Sequence, residues 1–224
     1  MRNAIVTNGL VLAVDNSGSV GEKKQDDVAA SYETVGYFSA RVAIMECMAA
    51  GGEPFAAVVH NFSGDAAWPA LYAGTEKAAF EAGYELEITG SSESNFHLNQ
   101  SASGILMIGR HVRKTDQIEQ RDMQYGVIGK PLVGGEVLAH SHEIAPLSLF
   151  RQLIGHEGVA AVWPVGSKGI AHELQQFTGR KGSCELDMNK SGGPSTCFLI
   201  AATRQATQKI KSVTPLIRWI KMEE

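Results

Sequence analysis

The chain has 224 residues, 44% of them hydrophobic and 20% charged, with a formal net charge of −4 and a pI near 6.0. That length holds a sizeable core in one domain or one and a half, and the mild acidity argues against nucleic acid or an anionic membrane as the main partner. No apolar run approaches the roughly 18–20 residues of a membrane-spanning helix, and the start, MRNAIVTNGL, is too short and too polar for a secretory signal.

Cys47, Cys184 and Cys197 are odd in number and show no C-x-x-C spacing, which suits free thiols in a reducing cytosol. The expectation is a cytoplasmic globular protein whose 24 scattered glycines mark tight turns.

In chain order, Leu10–Asp15 reads as a strand ending in a carboxylate, followed by a glycine loop, N-S-G-S-V-G-E-K. Tyr37–Ala50 carries Phe38, Val42, Met45, Met48 and Ala49 at helical spacing and stops at Gly51-Gly52. Phe55–His60 reads as an apolar strand, Ala73–Gly83 as a helix, and Leu86–Thr89 as a short strand running into the polar loop GSSESN. Ile105–Ile108 and Tyr125–Ile128 read as strands on either side of the charged stretch Arg110–Arg121. Beyond Pro146 the pattern predicts a helix over Leu147–Ile154, an extended run over Ala160–Val165, and a helix over Ile170–Phe177. A strand over Thr196–Ala202 and a basic helix over Arg204–Lys211 follow. This order is α/β (α+β), divided into a larger part, 1–145, and a smaller one, 146–224.

The chemistry concentrates near the start. A strand ending in Asp15, a loop holding Asn16, Gly18, Gly21 and Lys23, and an acid, Glu46, on the next helix supply hard oxygen ligands, a cation and backbone N–H groups. A magnesium nucleotide needs those parts. No G-x-x-x-x-G-K-[ST] is present, so the loop is a different nucleotide site or none. Asp15 also suits a routine turn, and Lys23-Lys24 a solvated pair. Glu46 stands among apolar neighbours, where an ionised group needs a partner if buried. The segment Thr89–Asn95, with Ser91, Ser92, Glu93 and Asn95, suits ligation of magnesium or phosphate and equally a surface turn. His140 and His142 hint at a metal pair without a third ligand. The turn Lys190–Thr196 suits a phosphate contact or plain structure.

These segments resemble the ATP-binding superfamily of aminoimidazole-ribonucleotide synthetase, thiamine-monophosphate kinase and selenophosphate synthetase. In that family a strand runs into T-D-G-V-G-T-K; here A-V-D-N-S-G-S-V-G-E-K is similar, with extra residues after Asp15. The family's N-D-I-x-x-x-G-A-x-P is matched in spacing by Glu46, Gly51 and Pro54, with Glu for Asp. The third element, a strand into G-G-[DE]-T, is matched loosely by Leu86–Glu93.

Within the superfamily the chain looks most like the α-ribazole kinases of cobamide salvage, through VDNSGSVGEK, ITGSSESNF, VIGKPLVGGEVL, PVGSKGIAHEL and SGGPSTCFL. The resemblance implies an ATP-binding N-terminal domain that pairs with a second copy to close one β-barrel, and a shortened C-terminal α/β part. It implies a homodimeric, ATP-dependent kinase with a small nucleoside acceptor. Asp15, Glu46 and Glu93 would hold Mg²⁺; Asn16, Gly18, Gly21, Lys23, Ser91, Ser92 and Asn95 would bind ATP; Lys23 would stabilise the transition state. Asp26, Asp27 and Asp65 are the candidate bases, Asp27 being taken with Lys23 as the catalytic pair. The aromatics Phe62, Trp68, Phe96 and Trp163 are available to wall a flat base. A thiamine-like acceptor, the synthetase chemistry and a non-catalytic nucleotide-binding protein are the alternatives.

Overall fold

The computed structural model describes residues 3–113 and 123–223. The chain divides into two compact units, Met1–Lys114 and Thr115–Glu224. That division precedes the one read at 145, because the strand over 123–128 pairs with later strands and not with earlier ones. Of the charged stretch Arg110–Arg121, residues 114–121 lie outside the described ones.

The first unit holds β1 (Ala4–Thr7), β2 (Leu10–Gly18), the short β3 (Val20–Gly21) and β4 (Val28–Ala29), then α1 (Tyr32–Ala49) and β5 (Gly52–Asn61). It continues with α2 (Trp68–Glu81), β6 (Glu87–Ser92) and β7 (Ala102–His111). Its main sheet is open and five-stranded, in the order β1-β2-β7-β5-β6. Only β5 and β6 are parallel neighbours. The β1–β2 hairpin turns on Asn8-Gly9, both at positive φ (49° and 76°), the backbone a two-residue hairpin loop requires.

Period-two alternation gives the sheet two different faces. Val11, Ala13, Ala57, Val59, Ile105 and Met107 are buried on the face covered by α1 and α2. Leu12, Val58, Leu106 and Ile108 on the other face are half-buried, and Ile5 and Val14 are exposed.

Helix α1 starts at its N-cap Ser31, whose hydroxyl accepts the Thr34 N–H at 3.2 Å. Burying side chains such as Ile44, Met45 and Met48 is worth about 1.5–3 kcal/mol each. The two helices cross backbone to backbone. A methyl on Gly36 would strike the Leu71 carbonyl, and one on Gly74 the Glu33 carbonyl. Beside this crossing the Tyr37 hydroxyl donates to Glu81 Oε2 at 2.5 Å, and burial pushes its pKa up to about 12.

The second unit holds β8 (Met123–Ile128), α3 (Gly135–Ala139), α4 (Leu147–Ile154), β9 (Val159–Pro164) and α5 (Gly169–Thr178). After these come β10 (Gly182–Ser183), β11 (Phe198–Thr203), α6 (Ala206–Val213), β12 (Ile217–Trp219) and β13 (Lys221–Met222). Its four-stranded sheet has the order β12-β8-β11-β9, antiparallel throughout. β11 opens with five consecutive buried residues, FLIAA, as a strand covered on both faces should. One face, with Tyr125, Val127 and Leu199, packs on Ile170 and Leu174 of α5. On the other face Phe198 meets Phe150 of α4 edge to face, 4.9 Å between centroids. No described helix is long and apolar enough to cross a membrane.

Candidate nucleotide site at the open end of the first sheet

Strands β2, β5 and β6 run one way and β7 the other, so the last residues of three strands meet the first of β7 at one end of the sheet. The register sets Ser17, Ser103, Asn61 and Ser92 in one row across these four strands. Asn61 organises the row: its Nδ2 donates to the Gly64 carbonyl and to Ser92 Oγ, each at 2.8 Å, and its Oδ1 accepts the Ser63 N–H. Ser103 is 7% exposed and its hydroxyl makes no hydrogen bond.

The segment 19–31 lies over this end, fastened by Asp26. That carboxylate accepts the Ser101 N–H and hydroxyl, both at 2.6 Å, and the Lys23 N–H at 2.8 Å. Desolvation is the largest single influence and raises its pKa, but the hydrogen bonds from Ser101 and the Lys23 N–H, with the Lys23 charge, together outweigh it and the group titrates below its ordinary value. Lys23 Nζ donates to the main-chain carbonyls of Leu98 (2.7 Å) and Gln100 (3.4 Å). Gln100 Nε2 returns to Ser19 Oγ and the Gln25 carbonyl, at 2.7 and 2.8 Å. Ser19 Oγ also bonds Asp27 Oδ2 at 2.7 Å and accepts the Asp27 N–H. Gly21 is obligatory here: a Cβ would sit 2.7 Å from Ser101 Cβ and 2.9 Å from the Tyr32 ring.

Of the predicted site residues, Lys23, Asp27, Gly18, Gly21, Ser91, Ser92, Glu93 and Asn95 all lie in strand ends and loops at this open end. Asp15 does not end its strand; β2 runs on to Gly18 because β7 pairs with it through Ala102. Asp15 is half-buried on the helix-covered face, and Asn16 points to the opposite, exposed side. Gly90–Ser92 belong to strand β6 and not to the loop after it. Glu93 Oε1 accepts the N–H groups of Asn95 (2.7 Å) and Phe96 (3.1 Å), folding the following turn. Glu46 is 3% exposed and precedes Cys47, which packs against Gly52 and Gly109 near the other end of the sheet. At 1.5 Å per residue it lies about 21 Å along α1 from Tyr32.

Among the described residues no three of His, Cys, Asp and Glu converge as a metal site. Asp15, Glu46 and Glu93 are thus not gathered as a three-carboxylate site among the described residues. Nor do His140 and His142 find a third ligand: their rings lie 6.3 Å apart, and Glu143 is held by Lys130 at 3.0 Å.

The turn Lys190–Thr196 is a brace. Thr196 Oγ1 accepts the Leu132 N–H and donates to the Lys130 carbonyl, while Lys190 pairs with Glu136 at 2.8 Å. Sequence reading missed Ser101, Gln100 and Ser103, and offered Asp26 only as a candidate base, where the structure has it bonded to Ser101. No local motif marks them, since each acts on a loop far away in the chain.

No protein-family model matches the chain, and no curated protein matches it. Solved structures do. Thiamine monophosphate kinase from Aquifex aeolicus is 16% identical, with a TM-score of 0.64 over 99% of this chain and 88% of its own. A complex of AaThiL with AMPPCP and TMP gives the same identity and TM-score, covering 99% and 84%. The hydrogenase maturation protein HypE in complex with ATP is 11% identical, with a TM-score of 0.65 over 98% and 78%. At these identities the likeness shows the fold: this chain has the α/β fold of thiamine-monophosphate kinase and HypE.

Proposed function

We propose that the chain is an ATP-dependent phosphotransferase, with α-ribazole as the favoured acceptor and α-ribazole phosphate as its product. The observation that carries the reading is Lys23. It is a cation on a glycine loop, held over the ends of three strands, with its ammonium on neutral main-chain carbonyls. Two neighbours of the same fold are complexes with ATP or its analogue AMPPCP.

In this reading the Lys23 ammonium, carried on the 18–23 loop, offsets the phosphate charge. The acceptor hydroxyl attacks the γ-phosphorus, the bond to the β–γ bridging oxygen breaks, and ADP leaves with that electron pair. Asp27 takes the hydroxyl proton, because Asp26 is committed to Ser101. Positioning and electrostatics carry most of phosphoryl transfer, so a strong base is not required. Mg²⁺ enters with ATP as its counter-ion; no step is assigned to it, since the carboxylates do not converge. Phe62 and Phe96, both exposed and both in loops at the open end, are the apolar surfaces offered to a flat base.

Two copies would meet through the uncovered apolar face around Leu12, Val14, Leu106 and Ile108 and close a barrel between their sheets. Light scattering should then give twice the 24.0 kDa chain mass.

A second reading, a thiamine-monophosphate-like acceptor, is favoured by the likeness to thiamine monophosphate kinase. Incubating the protein with Mg-ATP and, separately, α-ribazole, thiamine monophosphate and formylglycinamidine ribonucleotide, while following ADP release, decides between them. ADP with α-ribazole is the expected result. ADP only with another acceptor removes the ribazole assignment, and no nucleotide binding at all removes the whole reading.

A further inference from the structure

We infer that Lys23 is a latch that changes acceptors when nucleotide binds. In the structure described here its ammonium closes the loop 19–31 onto the segment 93–101 through the Leu98 and Gln100 carbonyls. With a triphosphate present the ammonium transfers to phosphate oxygens and the 94–99 segment is released. The inference rests on the nucleotide reading above and adds a conformational consequence to it.

Three observations carry it. The acceptors now holding Lys23 are neutral carbonyls, one of them at a long 3.4 Å. A phosphate oxygen brings a full negative charge to the same ionised donor, adding ion–ion attraction that a neutral carbonyl lacks, so the exchange is downhill. The two ends of the junction differ in how they are fastened. At Ser101 the Asp26 carboxylate takes two bonds of 2.6 Å and remains in place whatever Lys23 does. N-terminal to that anchor, the turn over 93–96 rests on Glu93 Oε1, and residues 94–97, 99 and 100 are exposed. Releasing Lys23 therefore loosens 94–99, while Gln100, tied through its own Nε2 to Ser19 Oγ and the Gln25 carbonyl, and Ser101 stay fixed. Phe96, 78% exposed, rides on the released part. Nucleotide binding would in this way make an already exposed aromatic surface mobile and able to adapt to the second substrate.

The test is amide hydrogen exchange of peptides covering 94–99 and 101–107, with and without Mg-ATP, in wild type, Lys23→Met and Lys23→Gln. Nucleotide binding is measured in parallel by titration calorimetry. In wild type, exchange across 94–99 should speed up by about ten- to a hundredfold on adding nucleotide, the size of one lost charged hydrogen bond. Exchange across 101–107 should not change. Both variants should show the fast 94–99 exchange without nucleotide. Lys23 is only part-buried, so either side chain is accommodated, and the wild-type comparison stands even if one variant folds poorly. Calorimetric binding of ATP with unchanged or slowed 94–99 exchange overturns the latch and leaves the nucleotide site standing. No binding of ATP overturns both. Folded variants that exchange as slowly as wild type overturn the latch as well.

Discussion

Where β2 and β5 begin, Val11, Cys47, Gly52 and Gly109 meet so closely that a Cβ on Gly109 would stand 2.5 Å from the Cys47 sulfur and one on Gly52 2.6 Å from it. Burial there pushes the Cys47 thiol up to about 12, which makes it an inert filler and not a nucleophile. Where β2, β5 and β6 end, the same helix-covered face turns to Ser17, Asn61, Ser92 and Ser103, and its cover is loop and not helix. One end of the sheet is fixed by packing, the other by side-chain hydrogen bonds that a ligand can replace. The difference suits the open end, and not the packed one, to a ligand: exchangeable contacts need an immobile platform behind them.

The largest expected effect belongs to the open end. Lys23→Met should lower ATP turnover by about a hundredfold or more, the usual loss when one preorganised cationic or hydrogen-bond donor is removed from a developing charge. Its urea midpoint should stay close to wild type, because the side chain fastens two loops and no core. Steady-state ADP release and a denaturation curve on the same preparation give both numbers. Unchanged turnover would end the assignment of the open end as the catalytic one.

Gly109→Ala probes the packed end. The added methyl meets the Cys47 sulfur and the Glu53 main chain, and forcing it in should cost about 1–3 kcal/mol. The KM for ATP should remain within about twofold in the folded fraction. A large rise in KM at full stability would show that the two ends are not separate in function.

Glu46→Gln cuts more finely, since this carboxylate was expected at the metal and lies near the packed end. A buried group exchanged for one of different hydrogen-bonding capacity leaves its surroundings mismatched, at about 1–3 kcal/mol. Loss of stability, read from the urea midpoint, is the expected outcome. A variant as stable as wild type that has lost turnover would carry Glu46 into the site and erase the distinction drawn here.

The elements with strong local patterns were legible in sequence. Leu147–Ile154 is the helix its periodicity predicts, and Ile170–Phe177 gains one residue at each end. Asn16-Ser17-Gly18 was not legible as strand, because such residues form one only when β7 is there to pair with them. Gly90–Ser92 looked like a loop for a related reason: β6 is an edge strand with a polar outer row, held by parallel pairing to β5. The β1–β2 hairpin did carry a signal, Asn8-Gly9, that the reading passed over. At the open end, Lys23 and Glu93 stand out in the sequence because their residue types suit phosphate and metal chemistry. The Asp26–Ser101 clamp joins residues 75 positions apart, and nothing local to either announces the other.

The smallest effect tests what holds the open end together. Asp26 accepts three hydrogen bonds and titrates below its ordinary value of 3.8 in the folded chain. A carboxyl whose folded pKa is depressed contributes stability above its unfolded pKa, and that contribution is lost as pH falls through the folded pKa. Asp26→Asn keeps the size but not the charge, so it should be less stable than wild type near neutral pH. The gap should be modest, because solvent screens a group this accessible. It should then narrow as pH falls below 3.8 and through the depressed folded pKa, as wild type protonates and comes to resemble the variant. Paired urea midpoints across that range measure the gap. A gap that does not change with pH would mean that shape and not charge fastens Asp26 to Ser101, and the open end would then owe its closure to packing, like the other.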